Sequence, residues 1–321
     1  MSIGGQNSQA GKPSLTAADE LSKRLSPYTF PVYLLLDNDA NEDTVEHIGS
    51  GFLISHRGMN FFVTAGHVFD HRSKGRLFYY VSDDKIEFLD RTFETTPSES
   101  KTREDDFLDI AVIIVNPKIG EGVPADGYQY QCIPENMVHR HRAAVPKCLN
   151  TIVGFPLTRN KVYEVRGNEL NPQQLIFHAK QNDDSVYKKA RFNKNDFYLA
   201  RFKENNVVRV ATGESGVTNL KPKGISGGTC WGTMIFKEDT NSYRTGDSFL
   251  LGIITKHIPE VKSILCTNIE VAYELADILL NRIITPIPST NELFKFSING
   301  IHIPFDITFI RPQRDTKGFF R

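Results

Sequence analysis

Three short segments of this sequence carry side chains whose types and spacing could perform nucleophilic chemistry together. The first is Phe62-Val63-Thr64-Ala65-Gly66-His67-Val68, preceded by the glycine-rich stretch Gly49-Ser50-Gly51-Phe52-Leu53-Ile54. Small residues ahead of His67 let the chain turn sharply at a strand end, so that the imidazole can face a cleft. The second is Asp106-Phe107-Leu108-Asp109-Ile110-Ala111-Val112, an acid directly before an apolar strand. The third is Gly224-Ile225-Ser226-Gly227-Gly228, after a polar loop over 211–223. A serine between glycines in a tight loop can expose its hydroxyl, and the N–H groups of Gly224 and Ser226 could converge on an oxyanion.

Taken singly, each segment has a plainer reading. A histidine after a strand is commonly structural, an aspartate before one is commonly a turn residue, and a glycine-flanked serine is commonly a flexible turn. Together they supply a nucleophile, a base and an acid to orient the base. The neighbouring run Glu104-Asp105-Asp106 raises the question of which acid serves His67. It reads as a solvated loop, and Asp109 is preferred because the apolar Ile110-Ala111-Val112 follows it directly.

These residues must be placed by strands. Aromatic residues are abundant, with 22 Phe and 11 Tyr, and hydrophobic residues make up 40% of the 321. Strand-like stretches fall at 31–36, 48–54, 60–64, 77–81, 85–89, 110–115, 151–154, 175–179, 196–202, 230–236 and 249–255, joined by long polar connections. That pattern predicts an all-β protein of antiparallel barrels or sandwiches. Ser14 to Leu25 is expected to form a short helix. A second helix is expected over Val271 to Leu280, opened by a capping box in which Thr267 precedes Glu270 by three residues. Residues 1–13 read as disordered, and 283–321 as an additional hairpin.

The three motifs, in the order His, Asp, Ser, resemble the trypsin/chymotrypsin-fold serine peptidases, most of all their disulfide-poor bacterial branch. Thr64 to His67 match that family's Thr-Ala-x-His motif, Asp109 to Val112 its Asp-Ile-Ala-Leu-like motif, and Gly224 to Gly228 its Gly-x-Ser-Gly-Gly motif. Leu251 to Thr255 is similar to the family strand that lines the substrate cleft. The resemblance covers roughly residues 30–282. It implies two antiparallel six-stranded barrels with the site between them and a C-terminal helix; the alternation over 283–321 adds a C-terminal β extension that the resemblance does not cover. The expected organisation is a tail and short helix over 1–29, a first barrel over 30–135 with His and Asp, and a second over 136–268 with Ser. A helix over 269–282 and the extension over 283–321 complete it. The implied catalytic residues are His67, Asp109 and Ser226, with the oxyanion held by the N–H groups of Gly224 and Ser226. Leu220, Thr255, Lys256 and His257 are the expected substrate-binding residues. Because Leu220 stands where an acid would select Arg or Lys, a small or apolar P1 side chain is expected. Ile225 stands where secreted members carry an aspartate that pairs with a freed N-terminus. Activation by N-terminal cleavage is therefore not expected, and the loop must be ordered in another way or by a protein partner.

Other features narrow the function. The 38 basic and 38 acidic residues cancel, which argues against nucleic acid as a partner and gives no reason to expect a membrane surface. The N-terminus has no secretory pattern and no apolar run could span a bilayer, so a soluble, cytoplasmic protein is expected. In that compartment Cys132, Cys148, Cys230 and Cys266 are expected to be free thiols. Cys132, His139, His141 and Cys148 could form a zinc array, but the spacing is unfamiliar and a basic loop between two packing thiols is the preferred reading. No metal or cofactor is expected. The leading function is serine endopeptidase acting on protein or peptide substrates by limited intracellular proteolysis, with a regulatory protein partner in view. By analogy with the bacterial branch, the targets would be effectors in prokaryotic defence or stress responses. The alternatives are a catalytically silent binding module of the same fold and a hydrolase of nonpeptide esters.

Overall fold

The computed structural model describes residues 15–36, 44–82, 85–98, 103, 106–115, 131–139, 148–157, 160, 163–164, 172–202, 222–237, 243–284, 295–298 and 301–304. The chain begins with helix α1 (Leu15–Leu25) and strands β1 (Phe30–Leu36), β2 (Thr44–His56) and β3 (Met59–Ala65). Arg57 and Gly58 both adopt left-handed backbone between β2 and β3, as a tight two-residue hairpin requires. The single helical turn α2 (Gly66–Phe69) follows, then β4 (Gly75–Ser82), β5 (Lys85–Phe88), β6 (Phe93–Thr95), β7 (Ile110–Ile114) and the short β8 (Cys132–Ile133).

Ladders join β5-β4-β1-β2-β3-β7-β6 in that order. The sheet closes because β5 and β6 act as one bent strand. Leu89 N–H donates to Leu77 on one side (2.8 Å), and Ile114 N–H donates to Thr92 on the other (3.0 Å). A closed sheet leaves no edge to aggregate. Along β2, buried and half-buried residues alternate from Thr44 to Gly49, after which Gly49 to Ile54 are all buried. That change marks where the strand is covered on both faces.

The second half contributes β9 (Cys148–Gly154), β10 (Tyr163–Glu164), β11 (Leu175–Ala179), helix α3 (Asp184–Ala190), β12 (Phe197–Arg201), β13 (Thr229–Lys237), β14 (Tyr243–Ile258) and β15 (Ser263–Asn268). Their order is β11-β9-β13-β14-β15-β12, with β10 returning to pair with β2 of the first sheet. This sheet closes too: Arg201 N–H donates to Lys180 and Asn182 N–H to Leu199, each at 2.9 Å. With its six principal strands numbered in chain order, each ring runs 1-2-3-6-5-4. Two barrels of identical winding therefore repeat within the chain, although no sequence repeat announces it. The fold is all-β and chymotrypsin-like.

Helix α4 (Ile269–Ile284) leaves the second barrel and packs on the first, where Val271, Ala272, Tyr273, Leu275, Ala276 and Leu279 join the core of Phe52, Phe61, Phe62 and Ile113. Val153, Trp231, Leu250 and Ile253 of the second sheet belong to that same core. Leu21 and Leu25 of α1 do as well. The C-terminal strands β16 (Lys295–Ile298) and β17 (Ile301–Pro304) pair as a hairpin. Two local expectations change. Ser263–Asn268 is a fully buried strand not anticipated from the sequence. Asn268, not Thr267, caps α4, its Oδ1 accepting from Glu270 N–H (2.9 Å), because the Thr267 hydroxyl is committed elsewhere. Among the described residues, no helix is long and apolar enough to cross a membrane.

Candidate active site

β3 ends at Ala65 and the chain turns at once into α2, which brings His67 to the rim of the first barrel with its side chain 43% exposed. Asp109 sits at the entrance to β7, the partner of β3, so the two residues are neighbours by strand pairing. Gly66 N–H donates to the Asp109 carbonyl (2.8 Å). The carboxylate then grips the turn twice: Oδ1 accepts the His67 backbone N–H (2.8 Å), and Oδ2 lies 2.5 Å from His67 Nδ1. Such a contact at Nδ1 leaves Nε2 uncommitted to Asp109 and favours the tautomer in which Nε2 is a base.

Asp109 adopts left-handed backbone at φ 50, a costly choice for a residue other than glycine. Its surroundings hold it there. Asp106 Oδ1 accepts the N–H of Asp109 (2.8 Å) and of Leu108 (3.1 Å), while the Leu108 carbonyl accepts the Thr267 hydroxyl of β15 (2.8 Å). Asp106 is thus buried, contrary to its expected place in a solvated loop. It escapes solvent because Thr96 Oγ1 (2.6 Å) and Arg103 Nη1 (2.8 Å) both donate to its Oδ2. Burial pushes its carboxyl above the usual carboxylate range, against the opposing pull of these donors. Glu104 and Asp105 lie outside the described residues.

Ser226 is presented by the loop from Pro222 to Gly228. Gly224 (φ 91) and Gly227 (φ 84) take up backbone that other residues resist. At Gly227 a side chain would also collide with the Ser50 carbonyl and the Thr64 hydroxyl. The loop is docked on both barrels: Ser50 N–H donates to the Ser226 carbonyl (2.8 Å), and Gly227 N–H to that of Ile254 (2.7 Å). Ile225, which cannot make an ion pair, is buried in the second barrel's core with Ile152 and Ile254. Ile225 thus anchors the loop by apolar contacts. The site lies at the seam between barrels, where a Cβ on Gly49 would meet both Val68, next to His67, and the Ser226 carbonyl.

Among the described residues, the N–H groups of Gly224 and Ser226 have no acceptor, and His67 Nε2 has no hydrogen bond. The Ser226 hydroxyl donates to the Thr255 carbonyl (3.3 Å). That carbonyl is available because β14 bulges between Ile254 and Lys256. Of the other expected substrate-binding residues, Lys256 is exposed and His257 packs edge-on against Phe202 (5.5 Å between centroids). Leu220 lies outside the described residues. Cys132 and Cys148 occupy strands of different sheets, each hydrogen-bonded to an asparagine, and His141 is not among the described residues.

No family model matches this chain, and no curated protein does. Among solved structures, 183 chains match. One of them, an HtrA-type protease AlgW with decapeptide, is 12% identical at a TM-score of 0.43, over 84% of this chain and 68% of that one. Two identically wound barrels define the chymotrypsin-like fold.

Proposed function

We propose that this chain is a serine endopeptidase in which Ser226 attacks the peptide carbonyl. His67 Nε2 takes the hydroxyl proton and returns it to the leaving amine, and Asp109 holds the imidazole and stabilises the imidazolium. The carbonyl oxygen, negative in the tetrahedral intermediate, is received by the N–H groups of Gly224 and Ser226. The acyl-enzyme is then released by water activated at the same Nε2. The observation that carries this reading is the double grip of Asp109 on His67, maintained at the expense of a left-handed aspartate. A merely structural histidine would not need both contacts.

Two further parts of the proposal concern setting. Four free cysteines suit a reducing, cytoplasmic compartment. There, a protease must act on few targets, so limited cleavage of protein substrates is proposed, with activation of a defence or stress effector as its biological use. Thr255, Lys256, His257 and Leu220 are proposed to contact substrate. A second reading, a silent binding module, draws on the Ser226 hydroxyl engaging Thr255 instead of His67. Catalytic hydrogen bonds often tighten only when substrate arrives. Cleavage of a mixed peptide library by the purified protein, read by mass spectrometry, tests between them. The endopeptidase reading expects internal cuts with a consistent P1 preference. Intact peptides alongside serine-probe reactivity would favour an esterase, and neither activity the binding module.

A further inference from the structure

Arg103 takes no part in the chemistry above, yet it is the most heavily engaged cation near it. Its side chain is 9% exposed and its backbone is left-handed (φ 55). Nε and Nη2 form a fork on the two carboxylate oxygens of Asp70 (2.5 and 3.2 Å), and Nη1 reaches Asp106 Oδ2 (2.8 Å) and the Thr96 carbonyl (3.1 Å). The first carboxylate belongs to the turn that carries His67, since Asp70 N–H donates to the Gly66 carbonyl. The second organises the loop that carries Asp109. On the reading of His67 and Asp109 as base and acid, we propose that Arg103 is a positioning residue, a buried clamp that sets the two halves of that pair against each other.

Three observations support the clamp. A planar guanidinium can hold two carboxylates in fixed directions, which an ammonium cannot. The guanidinium also lies over the peptide joining the strand to His67. A Cβ on Gly66 would be 2.7 Å from Arg103 Nη1 and 2.9 Å from Asp109 Oδ1, so only glycine lets the three groups meet. Finally, burial alone would disfavour the Arg103 charge, but Asp70 and Asp106 outweigh it and hold its pKa above the ordinary value. Without Arg103, the Asp70 carboxylate on the turn that carries His67 and the Asp106 carboxylate beneath Asp109 would stand uncompensated; His71, which interacts with His67, is itself disfavoured as a cation by burial and by Lys74. The two carboxylates would stabilise the imidazolium, so the base would become available only at higher pH.

The test measures the rate of Ser226 modification by a fluorophosphonate, against pH, with the melting temperature of each variant. Arg103→Met paired with Asp106→Asn removes the clamp without stranding a charge at Asp106, whose Oδ1 can still accept from the loop. It is expected to fold, to bind the probe as before and to react about 10²-fold more slowly, the scale of a misplacement of about 1 Å. Arg103→Met alone is expected to move the acidic limb upward. Arg103→Lys is expected to restore the limb but not the rate, and it carries the test if the double variant does not fold. A folded double variant or lysine variant with wild-type rate and limb overturns the clamp. If wild type itself fails to react, the peptidase reading fails, and the imidazole N–H proton resonance of His67 then decides. Its loss in the double variant supports the clamp, and its retention there refutes it.

Discussion

His47 allows a stability prediction worked directly from its surroundings. It lies buried in β2, edge-on to Tyr33 and Phe155, and neither ring nitrogen has a hydrogen-bond partner. A polar contact toward the Gly49 backbone falls outside hydrogen-bond geometry and offsets little. Burial lowers its pKa from 6.5 to about 4. The folded state therefore resists protonation that the unfolded chain accepts, and stability falls as pH drops below 6.5, levelling near 4. Linkage puts the loss at roughly 1 kcal/mol at pH 5.5 and roughly 2–3 kcal/mol at pH 4.5, relative to pH 7.5. His71 and His178, also lowered by burial, act in the same direction, while buried Asp106 and Glu94 act oppositely. A comparison of wild type with His47→Leu cancels these shared contributions. Urea unfolding at several pH values should show the two stabilities diverging with acid, the wild type losing more by the amounts above. Curves that stay parallel from pH 7.5 to 4.5 would refute the reasoning.

Three further outcomes are expected. Asp109→Asn should fold and slow the fluorophosphonate reaction by about 10⁴-fold through the wrong imidazole tautomer, whereas Asp106→Asn should be the milder change; the reverse ranking would reassign the acid. Ile225→Ala should lower the unfolding free energy by about 3 kcal/mol in chemical denaturation, with Ser226 reactivity lost; unchanged reactivity would show that the loop is ordered by other contacts. Deleting residues 1–13 should leave the reaction rate within a few fold, because Leu21 and Leu25 of α1 remain in the core, while Leu21→Ala should cost about 2–5 kcal/mol of stability.

The all-β class and the strands flanking His67 and Asp109 were legible because their signals are local: small residues before a polar one, then an uninterrupted apolar run. The Ser226 loop was legible for the same reason, its glycines marking backbone that only they adopt readily. The clamp was not. It joins Asp70, Thr96, Arg103 and Asp106, and a charged run in sequence looks solvated until the partner that buries it is known. For Asp106 that partner is Arg103. The strand Ser263–Asn268 was hidden because its last residues also resemble a helix start, and only the demand of the Leu108 carbonyl on Thr267 decides which residue caps. The identical winding of the two barrels was invisible as well, because it resides in strand pairing and not in residue identity.

Ser226 is proposed as a nucleophile activated by His67. The most direct measurement is the intact mass and peptide-mapped position of a fluorophosphonate adduct on the native protein. A single adduct at Ser226, absent in Ser226→Ala and in His67→Ala while both variants keep the wild-type fold, is the predicted result. A folded wild-type protein that forms no adduct, or one whose labelling survives Ser226→Ala, would contradict it.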